Sequence, residues 1–164
     1  MLWRRSFMDT KEVFKSELYK QCLKEVNAKV GDKTLTERMD AVCSVLKARI
    51  PYYFWVGFYF ARDEYLESGP SRGPPACSQI PYTGVCGKAA RTGKPIIVPD
   101  VDKFPGHVAC DPRSRSEIAL PVFGGDGKVV AVFDVDSDGF GSFDETDRNW
   151  LQKILKQVFT EGKP

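Results

Sequence analysis

The chain reads as one α+β domain: a central, mostly antiparallel sheet with helices packed on one face and a loop-covered pocket on the other. Two observations predict this. Segments of helical periodicity gather at the two ends of the chain, and the strand-like segments between them meet across short turns as hairpins. At 164 residues the chain is long enough to bury a core without staples, and it carries no internal repeat or low-complexity tract. A formal charge of +2, with both signs spread along the sequence, makes no basic stripe, so nucleic acid is not an expected partner. No apolar run approaches the roughly 20 residues that a membrane helix needs, so no membrane partner is expected either.

Met1–Ser6 pairs Trp3 with Arg4 and Arg5, as the start of a targeting segment would, but Asp9, Lys11 and Glu12 end that character at once. Residues 1–9 are therefore expected to be a flexible tail and 10–164 a single domain, located in the cytoplasm. From Thr10 to Lys29 the positions Phe14, Leu18, Cys22 and Val26 recur every four residues, which predicts an amphipathic helix with Cys22 on its buried stripe. After Gly31-Asp32, the positions Leu35, Met39, Val42, Leu46 and Ile50 predict a second helix that stops at Pro51. Cys43 lies beside that stripe, and core packing is the expected role of both Cys22 and Cys43.

Phe54–Phe60 is aromatic and β-favouring, and alternation puts Phe54, Val56, Phe58 and Phe60 on a core face. Trp55 and Tyr59 share the other face with Gly57 between them. The two rings either wall a slot for an apolar ligand or pack beneath a helix. Glu64–Glu67 reads as a short strand hairpinned through Arg62-Asp63, followed by an irregular lead-in from Gly69 to Pro75. Thr83–Gly93 fits a short helix with Gly93 as its stop, and the helix dipole is expected to lower the pKa of Cys86 in its first turn.

Pro95–Val101 is a strand by its Ile96-Ile97-Val98 run. Ser116–Val122 alternates, with Ile118, Leu120 and Val122 on one face and Glu117 and Ala119 on the other. Gly124–Gly127 turns the chain into Lys128–Ser137, whose second face begins with Val130 and Val132 and ends with the carboxylates Asp134 and Asp136. Two such charges are unfavourable together unless something cationic covers them or the strand has reached solvent. Ser142-Phe-Asp-Glu145 looks like a capping box for a last helix with an apolar stripe of Trp150, Leu151, Ile154, Leu155, Val158 and Phe159.

The stretch from Gly73 to Glu117 holds three of the five cysteines, Cys77, Cys86 and Cys110, and the only histidine, His107. Pro105-Gly106 breaks the chain there, so Cys110 sits on an irregular loop, a common place for chemistry. An odd number of cysteines is not a disulfide framework, and clustered thiols of this kind are redox-active or metal-binding. Zinc would have Cys77, Cys86, Cys110 and His107, but only His107 and Cys110 are close in sequence, and structural sites bring their ligands in short pairs. Thiol redox chemistry asks for an accessible thiolate and a second thiol able to resolve an oxidised intermediate. Asp111, next to Cys110, would raise the pKa of that thiol.

The strings Gly73-Pro-Pro-Ala-Cys77, Gly84-Val-Cys-Gly87, Phe104-Pro-Gly-His-Val-Ala-Cys-Asp111, Ser116-Glu-Ile118 and Asp134-Val-Asp-Ser137 strongly resemble the free methionine-R-sulfoxide reductases, single-domain proteins of the GAF fold. The resemblance implies a reduction of free methionine sulfoxide in which Cys110 attacks the sulfoxide sulfur and becomes a sulfenic acid. Cys77 then closes a disulfide with it, with Cys86 as alternative or relay, and thioredoxin or a similar dithiol reopens the bond. Trp55 and Tyr59 would wall the apolar part of the substrate, while Glu117, Asp134 and Asp136 meet its ammonium. No metal or organic cofactor is implied, and members of the family are often homodimers. The competing reading is a non-catalytic GAF-type small-molecule or redox sensor.

Overall fold

The computed structural model describes residues 2–160, with side chains described for residues 10–159. Four helices and six strands follow in the order α1 (Leu2–Val30), α2 (Leu35–Arg49), β1 (Trp55–Ala61), β2 (Leu66–Arg72), β3 (Gln79–Ile80), α3 (Val85–Thr92), β4 (Ile96–Val98), β5 (Ser116–Phe123), β6 (Val129–Ser137) and α4 (Glu145–Thr160). A single 3-10 turn, Val101–Lys103, precedes the central loop. The strands form one sheet in the order β3-β2-β1-β6-β5-β4, and every neighbouring pair is antiparallel.

One face of the sheet presents Val56, Phe58, Ile118, Leu120, Phe133 and Val135 to α1, α2 and α4, and this layer is the main core. The other face carries a smaller apolar layer of Trp55, Tyr59, Ala119 and Val132, covered by Val85, Cys86 and Ala89 of α3. The division between the strand faces is the one that alternation predicts. The helices are not all on one side, however, because α3 crosses to the pocket face.

Helix α1 begins at Leu2, ahead of the expected start at Thr10. Its inner stripe is Lys15, Tyr19, Cys22 and Val26, whereas Phe14 is 55% exposed. A step of four residues advances about 40° beyond a full turn, so a strict four-residue repeat winds off the face, while alternating steps of four and three hold it. Lys15 occupies an inner position because its ammonium is fully engaged. It donates to Asp147 Oδ2 at 2.5 Å, to Asp144 Oδ2 at 2.9 Å and to the Ser142 carbonyl at 2.9 Å. Tyr19 and Tyr52 donate to the other oxygen of Asp147 at 2.7 and 2.6 Å, so this buried acid ties α1, the entrance to β1 and α4 together. Helix α4 is capped two residues later than the expected Ser142–Glu145 box. Asp144 Oδ1 accepts from Thr146 N at 2.9 Å, and Asp144 N donates to Asp147 Oδ2 at 2.8 Å. At α2, Thr34 and Glu37 form a full capping box.

Strand β2 continues through Gly69-Pro70 to Arg72, where an irregular lead-in is expected from composition. A register shift between Gly57 and Tyr59 of β1 sets the irregularity opposite Gly69-Pro70, which accommodates the N–H that Pro70 lacks. Phe54 lies ahead of β1 and packs with the pocket-side layer, not with the main core. Helix α3 ends as its sequence predicts, with Gly93 in the left-handed region at φ 64.

Candidate active site

Three adjacent strands build the floor of the pocket. In their register Trp55 lies opposite Asp136 and Asp136 opposite Glu117; two residues along, Gly57 lies opposite Asp134 and Asp134 opposite Ala119. Residues so paired point to one face of the sheet, so Trp55, Glu117, Asp134 and Asp136 converge without any help from loops. Tyr59 follows on the same side, its ring centroid 5.8 Å from that of Trp55. The space above Gly57 is not an open slot, because the indole of Trp55 leans over it and would collide with a Cβ there.

The wall comes from α3 and the roof from the loop between the 3-10 turn and β5. Gly106 turns the loop at φ 78, with its Cα so close to the Thr83 carbonyl that a Cβ would lie 2.7 Å from that oxygen. This approach lays His107, Val108 and Cys110 over the pocket. Trp55, Tyr59, Cys86, Cys110, Glu117, Asp134 and Asp136 all line it. Cys77 reaches the same place by its disulfide to Cys110, with Cα atoms 5.4 Å apart. That is the pairing the family resemblance implies. With the bond closed, the space beneath that water can reach is about 40 Å³.

No lysine or arginine is among the residues lining the pocket. Burial, followed by the charge of Asp136, pushes the Glu117 carboxyl up to about 8. Burial likewise raises Asp134 and Asp136 well above the ordinary carboxylate range, with Glu117 the next influence on Asp134 and Asp134 the next on Asp136. Asp134 is 5% exposed, and its Oδ1 finds no hydrogen-bond partner among the described residues. His107 Nε2 stands 3.5 Å from Glu117 Oε2, and burial lowers the pKa of this imidazole.

Cys86 differs from its expected state. It sits in the first turn of α3 with Sγ 3.8 Å from Glu117 Oε1, and burial, followed by Asp134 and Glu117, raises its pKa well above that of a free thiol. A helix N-terminus cannot offset two carboxylates in a dry pocket, so the dipole argument loses here. Cys22 and Cys43 are buried under the helices, and burial raises their thiols too.

Sequence reasoning does not anticipate Phe54, Arg113 or Ser114. The Arg113 guanidinium lies 4.9 Å from the centre of the Phe54 ring and bonds Asp111 at 2.8 and 3.0 Å, holding that acid down to about 2. Asp111 is therefore ionised but paired beside Cys110, which blunts its expected effect on the thiol. Ser114 lines the pocket with Asp136 and offsets part of the rise in that acid's pKa. The two-residue spacing from Asp111 to Arg113 was a readable signal for the first pair; nothing local marks Ser114.

A family model described as GAF domain matches residues 32–158. A free methionine-R-sulfoxide reductase of Escherichia coli is 34% identical over 146 residues, 88% of this chain and 88% of that protein. The chain belongs to the free methionine-R-sulfoxide reductase family, on a GAF fold. Among its other relatives, GAF domain-containing protein A of Dictyostelium discoideum is 43% identical over 145 residues, covering 87% of this chain and 90% of that one. The structure of the Neisseria meningitidis free methionine-R-sulfoxide reductase in complex with its substrate superposes with a TM-score of 0.84 at 38% identity, over 89% of each chain. The reductase family thus accounts for the whole sheet and all the elements that frame the pocket.

Proposed function

We propose that this protein reduces free L-methionine (R)-S-oxide to methionine, with Cys110 as nucleophile and Cys77 as resolving thiol. The observation that carries the reading is the combination of a Cys77–Cys110 disulfide over a pocket floored by three carboxylates with no lysine or arginine in its lining.

In the reduced protein the Cys110 thiolate attacks the sulfoxide sulfur. Oxygen passes to Cys110 and takes a proton, methionine leaves, and Cys110 is a sulfenic acid. The Cys77 thiol then attacks that sulfur and expels water, giving the disulfide; a dithiol donor such as thioredoxin exchanges with it and restores both thiols. Summed, one sulfoxide and one dithiol become methionine, water and one disulfide. The reacting form is the reduced one, because the closed bond occupies the Cys110 sulfur that must attack the substrate. Trp55 and Tyr59 flank the methyl and side-chain carbons, and the resolving role falls to Cys77, the sulfur bonded to Cys110, while burial holds the Cys86 thiol protonated.

The carboxylates read the free amino group. Empty, Glu117, Asp134 and Asp136 suppress each other's ionisation; an α-ammonium placed among them draws their protons off and pairs with the charge that forms. A peptide-bound methionine sulfoxide offers a neutral amide, which leaves those oxygens unpaired. The reaction belongs in the cytoplasm, where thioredoxin-type donors keep thiols reduced. Turnover is tested by supplying free methionine (R)-S-oxide with a thioredoxin system and following NADPH oxidation; binding without turnover would favour the sensor reading.

A further inference from the structure

Cys86, Glu117 and Asp134 offer more than an ammonium site. One ligand atom from each lies within 4.8 Å of the others, and all three residues are buried. Cys86 Sγ is 3.8 Å from Glu117 Oε1. A tetrahedral zinc ion, with Zn–S of about 2.3 Å and Zn–O of about 2.1 Å, sets sulfur and oxygen ligands roughly 3.6 Å apart. The pair as it stands needs to close by only a few tenths of an ångström. Independently, Asp134 Oδ1 is buried and has no hydrogen-bond partner among the described residues, a state that is costly unless a cation or donor covers it. His107 Nε2 is 3.5 Å from Glu117 Oε2, the other oxygen of that carboxylate, and can orient the carboxylate from there. All four residues border the cavity, so an ion has a way in and a coordination position left facing the cavity.

We propose that this cluster binds a divalent ion of the zinc class through the Cys86 thiolate and one carboxylate oxygen each from Glu117 and Asp134. The donor set selects the ion. Magnesium and calcium take six or more oxygen ligands, whereas a thiolate with two carboxylates and an open fourth position suits zinc or cobalt. The metal has no part in sulfoxide reduction. It takes the space assigned above to the substrate ammonium, so metal and amino acid exclude each other, and a metal-bound Cys86 is withdrawn from thiol exchange. Binding displaces the Cys86 proton and those the carboxylates hold, so affinity rises with pH.

The disulfide-bonded protein is the right material, since Cys77 and Cys110 are then sulfur-blocked and Cys22 and Cys43 lie in the core beneath the helices. Titration with cobalt(II) reads the site directly, because a cobalt–thiolate bond absorbs in the near ultraviolet by charge transfer. The expected result is one cobalt per chain, a charge-transfer band that zinc abolishes, no band in Cys86→Ser, and affinity at least about tenfold weaker in Asp134→Asn with the band retained. Thermal melts establish that each variant is folded; should Cys86→Ser fail to fold, Asp134→Asn decides. No band in the wild type, a band that survives Cys86→Ser, or unchanged affinity in Asp134→Asn overturns the proposal. None of these readouts depends on turnover, so the reductase reading stands or falls separately.

Discussion

Replacing Glu117 by Gln should make the protein more stable at neutral pH and less active. Glu117 is 5% exposed, and burial with the charge of Asp136 lifts its carboxyl from an ordinary 4.5 to about 8. Between those two values the native state keeps a proton that the unfolded chain has lost, so stability falls as pH rises through this window and levels off above it. From 4.5 to neutral pH the loss is about 3 kcal/mol, at roughly 1.4 kcal/mol per pH unit. Gln has the same shape and no charge to suppress, so the variant's stability should fall less steeply than the wild type's, the remaining slope coming from the raised carboxyls of Asp134 and Asp136. Activity moves the other way. One charge-assisted bond to the ammonium is worth about 1.5–3 kcal/mol, so kcat/KM should drop roughly 10- to 150-fold. Urea denaturation of both oxidised proteins at several pH values between 5 and 7.5 measures the first effect. Parallel pH profiles for the two proteins would refute the claim that Glu117 is held protonated by burial.

Cys110→Ser should abolish methionine formation while matching the thermal melt of the reduced wild type, since a hydroxyl is too weak a nucleophile for sulfoxide sulfur and the reduced fold does not depend on the Cys77–Cys110 bond. Cys77→Ser should release about one methionine per site and then recycle poorly with thioredoxin, as shown by rapid-quench analysis; sustained turnover would move the resolving role to Cys86. Lys15→Met should destabilise the fold by about 3–5 kcal/mol in denaturant titration, because it strands the buried Asp147 carboxylate that Lys15 holds at 2.5 Å. A loss below about 1 kcal/mol would show that Tyr19 and Tyr52 suffice to hold that acid.

Much of the pocket was legible because strands have a period of two. Once Trp55, Glu117, Asp134 and Asp136 are assigned to one face of their strands, antiparallel pairing brings them together, and the structure needs only the register to make them neighbours. Helix phase was harder to read. Phe14, the most apolar residue of its turn, is exposed while Lys15 is buried, and no local pattern says so because the partners of Lys15, Asp144 and Asp147, lie at the other end of the chain. The state of Cys86 was misjudged for a similar reason: its helix position is local information, whereas the carboxylates that dominate its chemistry arrive from β5 and β6. The two-residue strand β3 is too short to carry a period at all, and the α4 cap falls at Asp144, with Asp147 three residues on, where both acids also bond the distant Lys15.

The central claim is that the acid floor reads a free amino group, and the direct measurement is the ratio of kcat/KM for free methionine (R)-S-oxide to that for its N-acetyl derivative. Three carboxylates left unpaired by a neutral amide predict a ratio of about 10⁴ or more, collapsing in Asp134→Asn. Comparable values for the two substrates would contradict the account and leave Glu117, Asp134 and Asp136 without the role assigned to them.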